Sequence, residues 1–344
     1  MTVELGLDTF GDIALDPNGG PLPAATVIRE VLVEGQLADK LGLDFFGVGE
    51  HHRPDYAVSA PDTLLAGLAT TTERIRLGTS VTVLSSDDPI RVFERFSTVD
   101  ALSNGRAEIT VGRGSFIESF PLFGLRLEDY EVLFSEKLDL LAEVLTEQPF
   151  TWSGSVRPPV QAGPIMPPTE SGHLRTWVGV GGTPASVVRA ARYGMPVVIA
   201  IIGGSPAGFE PLAGLYRRAC AEHGHQGLPI AVHSPGHVAP TDEQAAQEYL
   251  PHFVEQMRRL GAERGWPPMS EAAARQQFGP DGAVYCGSPE RVAHKIATTM
   301  RRLGASRFQF KYSNGRLPHD QRMSSIRLYA EEVAPRVREL LAEE

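Results

Sequence analysis

Three side chains able to handle protons stand in a row in the segment GVGEHHRP: Glu50, His51 and His52. An imidazole near its unperturbed pKa of about 6.5 can give or take a proton at neutral pH, and a neighbouring carboxylate can orient it. Adjacent side chains converge poorly on one ion, and a helical i, i+4 pair would be the better metal signal. The triplet therefore reads as acid–base, not metal-binding. Its plain alternative is a loop whose polar groups satisfy backbone amides.

A second kind of chemistry, anion binding, is written in VGVGGTPASVVRAARYG. An apolar run ends in Gly181 and Gly182. Thr183 then suits a helix N-cap, and Pro184 the first helical position. Ser186 stands where a carboxylate or amide would complete a capping box, so the first-turn amides stay open to an outside anion, with two hydroxyls beside them. An ordinary capped helix start is the competing reading. Arg113, between two glycines in VGRGSF, could reach a phosphate or a ring edge, or could be a structural ion-pair residue. Thr79 and Ser80, in GTSVTVL, put small hydroxyl residues where a flat ring would need room.

Other segments read as structural first. IIGGSP (Ile201–Pro206) is a tight turn that could also approach a ligand, and His237 of SPGH is a further candidate to face a pocket. Phe116, Phe120 and Phe123 are expected to pack an irregular segment against the body of the protein. No nucleophile elbow, P-loop or HExxH motif occurs.

The elements that must carry these residues alternate regularly. Apolar β-rich runs such as VELGLDTF, LDFFGVGE, IRLGTSVTVL and RAEITVG are each trailed by a stretch of helical periodicity, and the second half repeats the rhythm with RTWVGVG, MPVVIAII, PIAVHSPGHVAP and SRFQFKYS. About eight strand–helix units predict a parallel sheet closed into a (β/α)8 barrel, preferred over a doubly wound open sheet because no strong dinucleotide fingerprint follows the first strand. One domain over residues 1–344 is expected. It has an excursion before the fifth strand (Phe150–Leu174, rich in Pro and Gly) and a long segment before the eighth helix (Gly265–Gly287). Both are candidates for loops that set specificity. In such a barrel the chemistry lies where strands end, which is where Glu50, His51 and His52 fall.

Composition narrows the function classes. A net charge of −10 over 344 residues gives no basic face for nucleic acid. Two distant cysteines, Cys220 and Cys286, form neither a disulfide framework nor a zinc spacing and suit a reducing, cytoplasmic setting. The N-terminus is acidic where a signal peptide is basic, and no apolar run approaches the roughly 20 residues that a membrane span needs.

Taken in order, FFGVGEHH, IRLGTSVTVLSSDDPIRVFERFSTVDALSNGR, AEITVGRG and GGTPASVVRAARYGMP resemble the bacterial luciferase-like flavin-dependent oxidoreductases. GSPERVAHKI and NGRLPHDQRMSSIRLYAEEVAP extend the resemblance over nearly the whole chain. It implies a (β/α)8 barrel, usually dimeric, that binds reduced FMN, or in one branch the deazaflavin F420, at its C-terminal mouth. It implies an acid–base role for His51, with Glu50 and His52 as neighbours. The Ser80–Val81 bond would be a cis peptide beneath the flavin ring. Arg113, Thr183 and Ser186, with the Gly181–Gly182 turn, would hold the phosphate. The sequence departs at Gly182, where luciferase carries a carboxylate, and at Gly112, where it carries a cysteine, so light emission does not follow.

The activity the resemblance implies is a two-component monooxygenase. A separate reductase would deliver FMNH2, and O2 and a small organic substrate would react in the barrel mouth. F420-dependent hydride transfer in the same pocket and a non-catalytic flavin-binding protein are the alternatives.

Overall fold

The computed structural model describes residues 3–343 apart from Pro17 and Ser115, so one residue of the VGRGSF segment lies outside the described residues. Eight strands run β1 Glu4–Thr9, β2 Phe45–Val48, β3 Arg76–Thr79, β4 Glu108–Gly112, β5 Arg175–Val180, β6 Val197–Ala200, β7 Ile230–Val238 and β8 Arg307–Lys311. Each pairs in parallel with its sequence neighbour, and β8 returns to β1. The β3–β4 junction is less regular. A Leu77–Ala107 bridge and the short extension Thr82–Val83 supply the pairing on either side of Ser80–Val81, whose peptide bond is cis. The ring therefore closes as a (β/α)8 barrel, and the open-sheet alternative is excluded.

The helices that follow are α1 Ala24–Lys40, α2 Pro61–Ala69, α3 Pro89–Leu102, α4 Tyr130–Val144, α5 Pro184–Arg192, α6 Glu210–Glu222, α7 Asp242–Arg264 and α8 Pro289–Leu303, with α9 starting at His319 after β8. Asp88 illustrates the local logic: its carboxylate accepts from the amides of Ile90 and Arg91 and starts α3. The excursion before β5 holds a small antiparallel pair, Phe150–Trp152 with Val160–Ala162. The segment before α8 holds a short helix, Glu271–Phe278, and a strand, Tyr285–Gly287, that pairs with the end of β7.

Strand alternation sorts the side chains into two layers. Leu5, Leu7, Phe46, Val48, Ile109 and Val111 join the large apolar layer between strands and helices. The other phase points into the barrel, where Trp177, Val198 and Ala231 form a small separate cluster. Below it, at the N-terminal strand ends, buried charges close the barrel. Arg307 is fully buried and binds Glu108 through both terminal nitrogens, while its Nε donates to Glu4 at 2.5 Å. Arg76 and Arg175 complete the network from β3 and β5. Although burial alone would push the Glu108 carboxyl up, the Arg307 guanidinium, with Arg175 and Arg76 behind it, holds it below the usual carboxylate range. Among the described residues, no helix is long and apolar enough to cross a membrane.

Candidate active site

At the C-terminal strand ends the barrel opens into a cavity of about 450 Å³. Its wall is mainly apolar and aromatic, from Phe10, Tyr56, Phe116, Phe253, Met257 and Trp266. Such a lining with few polar groups is the usual form of a small-molecule site. The glycines of the GVGE segment let β2 reach this point. A Cβ on Gly47 would lie 2.5 Å from Ser80 Oγ, and one on Gly49 2.4 Å from the Phe10 ring and 2.6 Å from the Ser80 carbonyl oxygen. Gly47→Ala is accordingly expected to cost about 1–3 kcal/mol of unfolding free energy, the range for overpacking; an unchanged denaturant midpoint would contradict this close fit.

The three residues of the opening triplet diverge. Glu50 lies at the cavity wall, with Oε2 accepting from the Val83 amide at 2.8 Å and Oε1 paired with His52 Nε2 at 2.9 Å. The carboxylate thus positions His52, not His51. Its hydrogen bond raises the His52 pKa, and the His52 ring meets Phe123 edge-on, outside the cavity. His51 does line the cavity, stacked on Tyr56 with centroids 4.5 Å apart and edge-on to Phe10 and Phe116. This burial carries its pKa down from 6.5 to about 3; Asp12 opposes the shift, and Lys311 and Arg53 add to it. The sequence-based expectation of an imidazole titrating near neutrality does not hold for this residue, because burial penalises the charged ring. His51 is a neutral group at working pH.

The remaining predicted residues fall into three sets. Ser80, Val81, Arg113 and Gly181 line the cavity. Thr79 lies beneath it, donating to the Thr110 carbonyl at 2.9 Å and accepting from the Thr110 amide at 3.0 Å, so it stitches β3 to β4 beside the irregular junction. Gly182, Thr183 and Ser186 form the adjoining turn and do not line the cavity. Arg113 connects the two regions: it donates to Ser186 Oγ at 3.3 Å, pairs with Glu131 on α4 and lies over the Tyr130 ring. Thr183 is the N-cap residue of α5, but its hydroxyl makes no capping bond, so it stays free for another partner.

This arrangement fits a flat heterocycle with an anionic tail. Val81 sits at the mouth between Gly112 and Gly179, where a Cβ would approach it to 2.7 and 2.9 Å. Gly181 has open space where a Cβ would go. Ser80 Oγ, Thr110 Oγ1 and Gln309 Nε2 are buried without a protein partner, and buried polar atoms left so are unusual unless a ligand or water completes them.

Several lining residues escaped the sequence reading. His233 and Gln309 lie in the cavity on β7 and β8. His233 Nδ1 pairs with Asp8 Oδ2 at 2.7 Å. Lys311 binds Asp12 at 3.0 Å beneath the Phe10 ring. Although burial would raise it, Lys311 and the bonds from Ser313 and Gly315 keep the Asp12 carboxyl below its ordinary range. The available signal was a charged or polar residue at inward-pointing positions of otherwise apolar strands. His237, by contrast, is buried against Tyr249 and paired with Glu248, away from the cavity. Phe116 is not only packing: it lines the cavity, with the Arg53 and Arg264 guanidiniums over its ring. Ile202 and Gly203 of the IIGGSP turn also reach the wall. Of the two long loops expected to set specificity, the one after Gly265 contributes Trp266, whereas no residue of Phe150–Leu174 lines the cavity.

A closed (β/α)8 barrel, with a polar-tipped apolar cavity at its C-terminal mouth and an adjoining anion-ready turn, is the architecture of a barrel enzyme acting on small molecules. Residues 9–307 match the family model of the luciferase-like monooxygenases, and the chain belongs to that family and so to the oxidoreductases. Protein y4vJ of Sinorhizobium fredii is 29% identical over 208 residues, which make up 59% of this chain and 58% of that protein, so the match spans little more than half of either. The 4-hydroxyprotoasukamycin monooxygenase of Streptomyces nodosus subsp. asukaensis is 28% identical over 247 residues, covering 69% of this chain and 67% of that one. Among solved structures, monooxygenase RslO1 from Streptomyces bottropensis superposes with a TM-score of 0.82 at 24% identity, covering 96% of this chain and 99% of that one. The oxygenating constituent of 3,6-diketocamphane monooxygenase from Pseudomonas putida, in complex with FMN, superposes at 0.77 with 18% identity, covering 97% and 99%. An F420-dependent secondary alcohol dehydrogenase superposes at 0.74 with 14% identity, covering 98% and 100%. These structures share the fold.

Proposed function

We infer that the protein is a flavin-dependent oxidoreductase, in its most specific form a two-component monooxygenase that takes reduced FMN from a separate reductase and uses O2 on a small organic substrate. The observation that carries this reading is the Arg113–Ser186 link, which joins a glycine-walled cavity to the N-terminus of α5. Family membership supports the oxidoreductase class, and the FMN bound to the diketocamphane enzyme is a precedent for the cofactor on this fold.

The cofactor supplies the electrons for the reaction. The protein's own residues do the rest. Val81, flanked by Gly112 and Gly179, forms the surface on which a planar ring would lie. Arg113, Thr183, Ser186 and the Gly181–Gly182 turn would hold the phosphate, with guanidinium and hydroxyl donors backed by the helix dipole. Phe116 and Trp266, with the Arg264 guanidinium over both rings, shield the mouth from water. His51 would shape the wall as a neutral imidazole, with Glu50 beside it holding His52 outside the cavity. F420 has a longer anionic tail and calls for cations further out. The rim guanidinium of Arg53 is already committed to Glu263 and Asp55, which favours FMN.

Anaerobic titration with FMN, FMNH2, riboflavin and F420 tests the reading. FMN is expected to bind about 10–100-fold more tightly than riboflavin, the equivalent of about 1.5–3 kcal/mol for hydrogen bonds to a charged group. Arg113→Ala should bring FMN down to the riboflavin level. Equal affinity for the two flavins in the wild type would remove the phosphate site, and preferential binding of F420 would replace the oxygen reaction with hydride transfer.

A further inference from the structure

Two imidazoles line the cavity among the described residues, and only one is held by a carboxylate. His51 is packed among three rings and makes no side-chain hydrogen bond among the described residues. His233 Nδ1 lies 2.7 Å from Asp8 Oδ2, and the pair is almost entirely buried, with side-chain exposures of 8% and 0%. A carboxylate on Nδ1 selects the tautomer with the proton there and leaves Nε2 as the free acceptor. Among the described residues, no hydrogen bond to His233 Nε2 is formed. On the neighbouring strand Gln309 stands in register with His233. It too lines the cavity, and its buried Nε2 amide has no partner. Adjacent strands lie about 4.8 Å apart, so one ligand oxygen can reach both groups. The barrel thus presents an acceptor beside a donor at the base of an aromatic cavity. The other groups around His233 are Phe10, stacked on it at 6.1 Å, Ala200 opposite it on β6, and Lys311 on β8, whose charge is answered by Asp12.

We propose that His233, positioned by Asp8, is the proton-transferring residue of this cavity, and that the substrate it serves is a hydroxyl compound, an alcohol or phenol with an apolar body, whose oxygen also accepts from Gln309. The proposal rests on the reading that this cavity is the active site. In the step, the substrate O–H bond breaks and an Nε2–H bond forms. The oxygen keeps the electron pair and is held by the Gln309 amide, while the imidazolium keeps its Nδ1 contact to Asp8 Oδ2. The reverse step returns the proton. Asp8 is a positioning residue, and His51 is left to shape the pocket.

The test needs no cofactor. Cofactor-free protein is titrated with 4-nitrophenol, whose ionised form absorbs at longer wavelength, and with 4-nitroanisole, which has no proton to give. Wild type is expected to bind the phenol in its ionised form at pH values where the free phenol is neutral. The phenolate band should fall by about tenfold or more in His233→Asn and Asp8→Asn, the size set by one close opposite charge, and Gln309→Leu should weaken phenol binding but not that of the ether. Histidine 15N NMR of the unliganded protein reads the tautomer directly: proton on Nδ1 of His233 in the wild type, with that preference lost in Asp8→Asn. An equal phenolate band in wild type and His233→Asn overturns the proposal, as does wild-type His233 carrying its proton on Nε2. Because the flavin titration is a separate measurement, failure of the cofactor reading and failure of the dyad are told apart.

Discussion

Glu108→Ala is expected to destabilise the protein by about 3–5 kcal/mol, the cost of removing one partner from a buried ion pair. Glu108 and Arg307 are both fully buried, and the carboxylate receives Arg307, Arg76 and, more distantly, Arg175. Alanine leaves Arg307 and Arg175 with Glu4 alone and takes the carboxylate from Arg76, and Arg307 lies between the Phe45 and Trp177 rings where water cannot easily replace the lost partner. The pair as such need not be worth that much. Replacing both members with methionine fills similar volume and removes both desolvation penalties, so the double variant should be more stable than Glu108→Ala and should approach wild type. Urea unfolding of the three proteins decides it: a double variant no more stable than Glu108→Ala would mean that the pair is not coupled as drawn. These residues sit at the N-terminal strand ends, away from the cavity, so cofactor affinity of the folded single variant should be close to that of wild type.

The second large effect concerns acid. His51 is held neutral, with its pKa carried from 6.5 to about 3. Between those values the unfolded chain takes up a proton that the folded chain refuses. The unfolded state binds more protons, so stability rises with pH through that window. The contribution is intact above about pH 6.5 and is lost progressively as pH falls towards 3, to a maximum of about 5 kcal/mol at ~1.4 kcal/mol per pK unit. His51→Gln cannot titrate. It should be less stable than wild type at neutral pH, because the packing against Tyr56, Phe10 and Phe116 is lost, and should close or reverse that gap by pH 3.5. Glu108, whose pKa is also lowered, loses stability in acid equally in both proteins, so the difference between the two curves reports the histidine together with its Asp12 neighbour. Parallel curves from pH 7 to 3.5 would show that the imidazole is not held neutral.

The flavin/riboflavin comparison at Arg113, the Gly47→Ala substitution and the His233 titration probe three other parts of the mouth: tail, floor and base. Together they separate a site that binds the cofactor from one that also moves a proton.

The alternation of apolar strands with helical stretches was readable along the chain because periods of 2 and 3.6 residues are local properties. The same is true of the turns Gly181–Ser186 and Gly47–Glu50, whose glycines and cap residues announce a strand end. These segments were enough to predict a barrel with its chemistry at one rim. What each side chain does there was decided by distance between segments far apart in sequence. Glu50 turns to His52 because the Val83 amide, 33 residues away, anchors its other oxygen. His51 is neutral because Tyr56, Phe10 and Phe116 close around it. Asp8 and His233, 225 residues apart, meet only because β8 brings β1 and β7 together. Burial and hydrogen-bond partners set protonation, and both come into being only when the ring of strands closes.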